Sequence, residues 1–390
     1  MAVYRTTKRT NRGTLVRYRK LSDAGLRHIQ EIPLVGYNAK ATGHDTDGQS
    51  GIGFGGYYFD WTNVLGEDWA DCAVGLTHTI LLNKSRYAYG CGNGYNGELG
   101  NGSTEDKYTP TLIPNITFRK ISCGWNNSVG VDTAGRLLVW GYNSSGQLGL
   151  GDTDNRLSPT QLGIASNWIT ASTAPAEATH SAAINSLGEM WVWGNNSSGQ
   201  LGLGDTDNRP SPVQLGTESN WTDVWCGTLF TVAKNANGEL YSFGDNTYGK
   251  LGIGSTTQQN SPIKIGNDTD WLKISTGYDH VIALKTTGEL YTWGSDGYGA
   301  LGNGSTGGTD ILSPTKVGTD TDWVDIAAGN AHSLAVKSTG ALLGCGSNSY
   351  GGLGTGIDDD GSYIFKTINT GTTFTRCFAG YDLSIAFLVI

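Results

Sequence analysis

A twelve-residue motif, W-G-x-N-x-x-G-x-L-G-x-G, returns six times along this chain of 390 residues. Its fullest form is Trp140-Gly141-Tyr142-Asn143-Ser144-Ser145-Gly146-Gln147-Leu148-Gly149-Leu150-Gly151. The second position falls at Gly92, Gly141, Gly194, Gly244, Gly294 and Gly346, in steps of 49, 53, 50, 50 and 52 residues. A companion feature, an aromatic opening a small-residue strand, occurs seven times, at Trp69, Phe118, Trp168, Trp221, Trp271, Trp323 and Phe374. A unit of about 50 residues is too small to bury a core alone, so each must stack on its neighbours. The repeat overrides the two or three domains that length alone would suggest.

Inside a unit the hydrophobic period is two. Leu137-Leu138-Val139-Trp140 and Met190-Trp191-Val192-Trp193 are short aromatic and β-branched runs bounded by Gly and Asn, which reads as strand. Glycine turns such as Ser186-Leu187-Gly188-Glu189 and Thr286-Thr287-Gly288-Glu289 precede them as hairpin connections. Four short strands in such a unit make one propeller blade. The motif leucines (Leu99, Leu148, Leu201, Leu251, Leu301, Leu353) are expected between adjacent blades, each contributing about 1.5–3 kcal/mol on burial.

The recurring block is G-x-x-H, as in Gly75-Leu76-Thr77-His78, Gly277-Tyr278-Asp279-His280 and Gly329-Asn330-Ala331-His332. The double glycine of kelch units and the Gly-His and Trp-Asp pairs of WD units do not recur. Together with the longer motif, this block resembles the regulator of chromosome condensation repeat family over residues 33–390. The resemblance implies an all-β fold, a seven-bladed β-propeller with four-stranded blades. Six motifs against seven aromatics imply a closing blade shared between the N- and C-terminal segments, which removes two open sheet edges. Leu34-Val35-Gly36-Tyr37-Asn38 looks like a worn seventh motif. From Gly36 to Trp69 takes 33 residues, where the complete units take 26 to 29.

Residues 1–32 stand outside the repeat as a basic N-terminal arm. Residues 1–30 hold Arg5, Lys8, Arg9, Arg12, Arg17, Arg19, Lys20 and Arg27 against Asp23, a net of +7, which leaves −16 of the total −9 for the remainder. Such an arm could bind nucleic acid without sequence preference, but an acidic body would repel a duplex. It reads better as an anchor on a partner subunit, with Val3, Tyr4, Leu15, Val16, Tyr18 and Leu21 as apolar contacts. No stretch approaches the roughly 20 apolar residues of a membrane helix, and the N-terminus does not read as a signal peptide. The expectation is a soluble protein, cytoplasmic or part of a virion.

Candidate chemistry is sparse. His78, His180, His280 and His332 occupy corresponding places in their repeats, which points to structural hydrogen bonds inside a blade. No nucleophile elbow, P-loop or zincin motif is present, so enzyme activity is not expected, nor any cofactor. Asp45-Thr46-Asp47-Gly48 resembles the start of a calcium loop, but Gly56 stands at the twelfth position where a Glu would close it. It and Asp358-Asp359-Asp360-Gly361 are read as solvated turns, with no metal. Six cysteines without C-x-x-C spacing are read as buried thiols, Cys91 and Cys345 in place of the motif tryptophan. The segment Asn143 to Arg156 recurs identically as Asn196 to Arg209. A recent duplication accounts for it, and a paired surface patch of Asp152, Asp154, Arg156, Asp205, Asp207 and Arg209 is the functional alternative.

The function expected is therefore a non-enzymatic protein-binding scaffold, anchored by its arm to protein subunits of a larger assembly, a viral capsid or tail among the candidates. The resemblance implies two alternatives, guanine-nucleotide exchange on a small GTPase and capping of an enzyme by one propeller face. Light-sensing members of the family carry repeated G-W-R-H-T blocks, and here only Gly124-Trp125-Asn126-Asn127-Ser128 has a tryptophan at that place.

Overall fold

The computed structural model describes residues 36–66, 68–175, 180–306, 308–357, 360–368 and 372–388. The arm residues Arg5, Lys8, Arg9, Arg12, Arg17, Arg19, Lys20 and Arg27 lie outside the described residues, as do Asp358 and Asp359. The described strands form seven antiparallel blades of four. Six first strands are Trp69–Val74, Trp168–Thr173, Trp221–Gly227, Trp271–Thr276, Trp323–Ala328 and Phe374–Ala379, and residues 118–123 supply the remaining one. Consecutive first strands touch one another around the ring, including the last and the first, so they line the axis and the fourth strands form the rim. Blades are numbered 1 to 7 from the one opened by Trp69.

Blades 1 and 2 share a strand. Lys107–Cys123 runs unbroken, and its pairing passes from Tyr87↔Thr117 in one blade to Phe118↔Asp132 in the next. The equivalent joints elsewhere bend at Gly163, Gly216, Gly266 and Gly318. Here Asn115 follows Pro114 and takes φ 62°, a left-handed conformation that asparagine tolerates better than most residues.

Blade 7 is built from both ends of the repeat, as expected. Its order from the axis outward is Phe374–Ala379, Leu383–Leu388, Asn38–His44, Tyr57–Asn63, with pairing from Asn38↔Leu388 to Gly43↔Leu383. The seventh motif, however, is not Leu34 to Asn38. It is Thr42-Gly43-His44-Asp45, continuing through Gly48-Gln49-Ser50-Gly51-Ile52-Gly53. Gly43 has φ 117°, and a Cβ there would lie 2.1 Å from the Asp382 carbonyl, as one at Gly141 would lie 2.5 Å from that of Asn126. Asp45 Oδ1 accepts the Ser50 N–H as Asn143 Oδ1 accepts that of Leu148. Gly43 to Trp69 is 26 residues, within the range of the other units. Thr42 in place of tryptophan and Ser50 in place of leucine concealed the copy. Asp45, expected in a solvated turn, is buried.

The motif leucines are all buried between blades. Beside them, an aromatic lies against a motif glycine of the preceding blade, too close for any Cβ there. Trp140 covers Gly100, Trp193 covers Gly149, Phe243 covers Gly202 and Trp293 covers Gly252. These four come from third strands. In blades 6 and 7 the third strand has Cys345 and Thr42 at that place, and the fourth strand supplies the ring instead, Phe365 over Gly302 and Trp61 over Gly354. The other five fourth strands carry proline at the corresponding region (Pro110, Pro159, Pro212, Pro262, Pro314). A rim strand can host proline because, among the described residues, no further strand pairs with its outer side, and proline there discourages edge-to-edge association.

Near the axis, the third residue of each first strand forms a layer of mixed charge: Asp71, Lys120, Thr170, Asp223, Lys273, Asp325 and Arg376. Lys273 Nζ lies 2.5 Å from Asp325 Oδ1, Asp325 Oδ2 accepts the Cys377 N–H, and Arg376 Nη2 lies 2.8 Å from Asp71 Oδ1. This chain of contacts runs from blade 5 through blade 7 into blade 1. All six cysteines are buried free thiols.

Candidate protein-binding face

Each in-register histidine is committed to the next blade rather than to its own, which corrects the expectation above. His78 Nε2 is 2.8 Å from Ser128 Oγ, His180 from Thr231 Oγ1 (2.8 Å), His280 from Ser333 Oγ (2.9 Å) and His332 from Ser384 Oγ (2.9 Å). Each hydroxyl gives its single proton to a carbonyl of the histidine's own blade, at Glu98, Gln200, Ala300 and Gly352. The imidazole must therefore donate from Nε2. Among the described residues, Nδ1 of His78 and of His180 has no hydrogen-bond partner. Burial pushes His78, His180 and His280 down to about 3 and His332 to about 4. These rings are neutral struts, sealed from any substrate.

The duplicated loops close on themselves. Arg156 Nη2 bonds Asp152 at 2.5 Å and Nη1 the Asp154 carbonyl at 2.7 Å. Arg209 repeats this with Asp205 at 2.6 Å and the Asp207 carbonyl at 2.6 Å. The six residues of the alternative surface patch form one clasp in blade 2 and one in blade 3, each holding the loop before its fourth strand. Among the described residues, no group of three His, Cys, Asp or Glu is placed to hold a metal.

Two sets of loops share one face. The short loops after the first strands bond the long motif loops in every blade but the third: Asn93 N–H to Thr77, Tyr142 to Asn126, Asp245 to Leu229, Ser295 to Asp279, Ser347 to Ala331 and His44 to Asp382. The short loop of the third blade is described only in part. On this face Tyr248, Tyr298 and Tyr350 occupy the same motif position in blades 4, 5 and 6, and all are exposed, Tyr298 to 67 %. In blade 7, His44 stacks on Tyr57 at 5.2 Å, and both rings lie beside Tyr350, at 6.0 and 5.9 Å. Nearer the axis Tyr278 meets Tyr381 edge-on at 6.4 Å. These tyrosines were legible in the motif, at a position that the repeat leaves free and that fold-directed reading passes over.

The same face is acidic. Every long loop contains at least one Asp or Glu, and Lys250 is the one lysine or arginine among them. Lys250 is itself buried, held by Asp245 at 2.6 Å and Asp279 at 2.7 Å. Burial raises Asp45 and Asp382 to about 6 and Glu98 to about 7, outweighing the hydrogen bonds each accepts. At the axis, a cavity of about 150 Å³ opens among Ser122, Ser172, Thr173, Thr276, Asn330 and Tyr381. Among the described residues of its lining none is charged.

The profile of the regulator of chromosome condensation (RCC1) repeat matches residues 87–131, 134–184, 188–233, 237–284 and 287–336. The chain belongs to the RCC1 repeat family. Among RCC1-repeat relatives, the ultraviolet-B receptor UVR8 of Arabidopsis thaliana is 32 % identical over 166 residues, 41 % of this chain and 38 % of that protein. The X-linked retinitis pigmentosa GTPase regulator of Mus musculus is 34 % identical over 154 residues, 38 % of this chain and 15 % of the relative. The chain thus spans well under two thirds of these relatives. The crystal structure of Prp20p from Saccharomyces cerevisiae, described with its binding to Gsp1p and histones, superposes with a TM-score of 0.81. It covers 91 % of this chain and 93 % of its own at 18 % identity, a likeness of fold. Among the described residues of this RCC1-repeat chain, no helix is long and apolar enough to cross a membrane.

Proposed function

We propose that this RCC1-repeat propeller is a non-enzymatic recognition protein whose partner docks on the face built by the long motif loops. The observation that carries the reading is the cluster of exposed tyrosines on that face, at a motif position where blades 2 and 3 do without them (Ser145, Ser198). Exposed aromatic clusters on a soluble domain mark interaction surfaces. The histidines that could have served catalysis are consumed as struts between blades. Placing a photo-crosslinking residue at Tyr298, and another at the opposite-face Tyr87, tests this. Partners crosslinked from Tyr298 but not from Tyr87 support it, whereas equal or no crosslinking from Tyr298 overturns it.

The basic arm is proposed as a second, anchoring contact to protein subunits, supported by its net +7 beside a body of −16. The viral form of that idea has no support among the relatives named above. A second reading, guanine-nucleotide exchange on a small GTPase, is favoured by the likeness to a GTPase regulator and to the fold of a Gsp1p-binding propeller. Accelerated nucleotide release from a panel of small GTPases would support it, and unchanged release across the panel would sink it.

A further inference from the structure

We infer that the occupant of the long-loop face is an extended polypeptide segment rich in arginine and lysine, gripped along the tyrosine arc of blades 4 to 7. The inference rests on the reading of that face as the docking surface and names the chemistry of its partner.

The arc is not a by-product of the fold. Blades 2 and 3 build the same loop with Ser145 and Ser198 where blades 4, 5 and 6 have Tyr248, Tyr298 and Tyr350. The turn is closed in the same way in both groups, by a glycine N–H to the motif carbonyl three residues back (Gly146 to Asn143, Gly249 to Asn246, Gly299 to Asp296, Gly351 to Asn348), although Tyr248 itself takes φ 66°. The tyrosine rings therefore do no work in closing the loop, and they stand in solvent. Blade 7 has Asp47 at this position, yet it extends the arc by another route, through the stacked His44 and Tyr57 rings against Tyr350. Four consecutive blades thus present aromatic faces outward.

Charge selects the occupant. Within the same blades, the half-buried Asp47, Asp245, Asp279 and Asp382 lie in the loops that carry or flank the arc, with Asp45 and Asp296 buried beneath. The one cation of the long loops, Lys250, is shared by two of these carboxylates, so it leaves that group negative. An acidic field around exposed aromatic faces favours a cation that can lie flat on a ring while its charge meets a carboxylate, as guanidinium and ammonium groups do. The same field repels a nucleic-acid backbone. A chain of spaced cations, rather than one ion, matches an arc that crosses several blades.

The test uses the full-length protein and a fluorescein-labelled peptide of six alternating Arg-Lys pairs, read by fluorescence anisotropy at physiological salt. The Tyr298→Ala/Tyr350→Ala double variant should weaken binding at least tenfold. A control on the opposite face, Tyr87→Ala/Glu218→Gln, should stay within twofold of the parent. All four side chains are exposed, and matching circular dichroism melts confirm that the variants are folded. Equal affinity of the arc variant and the parent overturns the proposal, as does equal weakening in the control. Binding of a neutral hexasaccharide such as cellohexaose, lost in the arc variant while the peptide fails to bind, overturns it in favour of a carbohydrate. A partner crosslinked at Tyr298 through a segment lacking basic residues defeats this inference alone. Failure of crosslinking at Tyr298 defeats the docking face itself.

Discussion

Arg376 Nη2 lies 2.8 Å from Asp71 Oδ1, and Nη1 donates to the Ala70 carbonyl at 2.8 Å. Arg376 sits on the last blade's innermost strand and Asp71 on the first blade's, so this pair spans the seam where the ring closes. Burial alone would push the Asp71 carboxyl up, but the charges of Arg376 and Lys120 hold it below its ordinary value. Arg376→Ala would leave Asp71 and Asp325 with reduced compensation, an expected loss of about 2–4 kcal/mol. It should appear as a lower urea midpoint at unchanged slope. An unchanged midpoint would show that backbone pairing alone closes the ring.

The histidine struts set an acid limit. Each has a folded-state value depressed well below the 6.5 of an unfolded chain, to about 3 or 4. Their contribution is therefore complete above about pH 6.5 and is lost as pH falls toward 3, because the unfolded chain binds protons that the folded one refuses. His78→Gln keeps a donor without a charge and should flatten part of this acid decline in chemical denaturation at pH 4 to 6. A slope identical to the parent's would remove His78 from the account.

Glu98 works in the opposite direction. Its buried carboxyl is raised to about 7, above the value of an unfolded chain. It favours folding below about pH 4.5, and that advantage is lost as pH rises through 7. Glu98→Gln should stabilise the protein at pH 8 by about 2 kcal/mol, with the gain vanishing near pH 4. Stability measured at both pH values checks the sign as well as the size.

The exchange of aromatics between strands makes blades 6 and 7 depend on their rim. Trp61 is buried against Phe374 and Gly354. Trp61→Ala should cost about 3–5 kcal/mol through the cavity left behind. The equivalent rim change in blade 2, Pro159→Ala, should shift the melting temperature little, since Trp140 fills that interface. Comparable losses in the two variants would contradict this division.

Most of the architecture was legible because its cause is periodic. The motif glycines, the buried leucines and the seven aromatics recur at a spacing only a ring of blades can satisfy, and the structure places each as read. The closing motif was misread because Thr42 and Ser50 replace its two most visible residues. What survives there is backbone geometry at Gly43 and a carboxylate at Asp45 doing the work of an asparagine amide oxygen. The histidines were placed correctly in the repeat but assigned to the wrong partner. Their acceptors lie 50 to 53 residues away, on the next blade, where no local pattern connects them. In the loop trios Asp152/Asp154/Arg156 and Asp205/Asp207/Arg209, the arginine bonds its own loop, a contact that spacing alone does not reveal.

The sequence by itself determined the repeat, the number of blades and the sharing of the last one between the two ends. Those follow from period and count, which are properties of a line. Only the tertiary structure decided which residues meet across blades: the histidine struts, the Phe365 and Trp61 substitutions for lost tryptophans, the Arg376–Asp71 clasp and the gathering of tyrosines and carboxylates on one face. Such contacts join residues tens to hundreds of positions apart. Their energies depend on burial and on the partner supplied by the neighbouring blade, and the chain acquires both only when the ring closes.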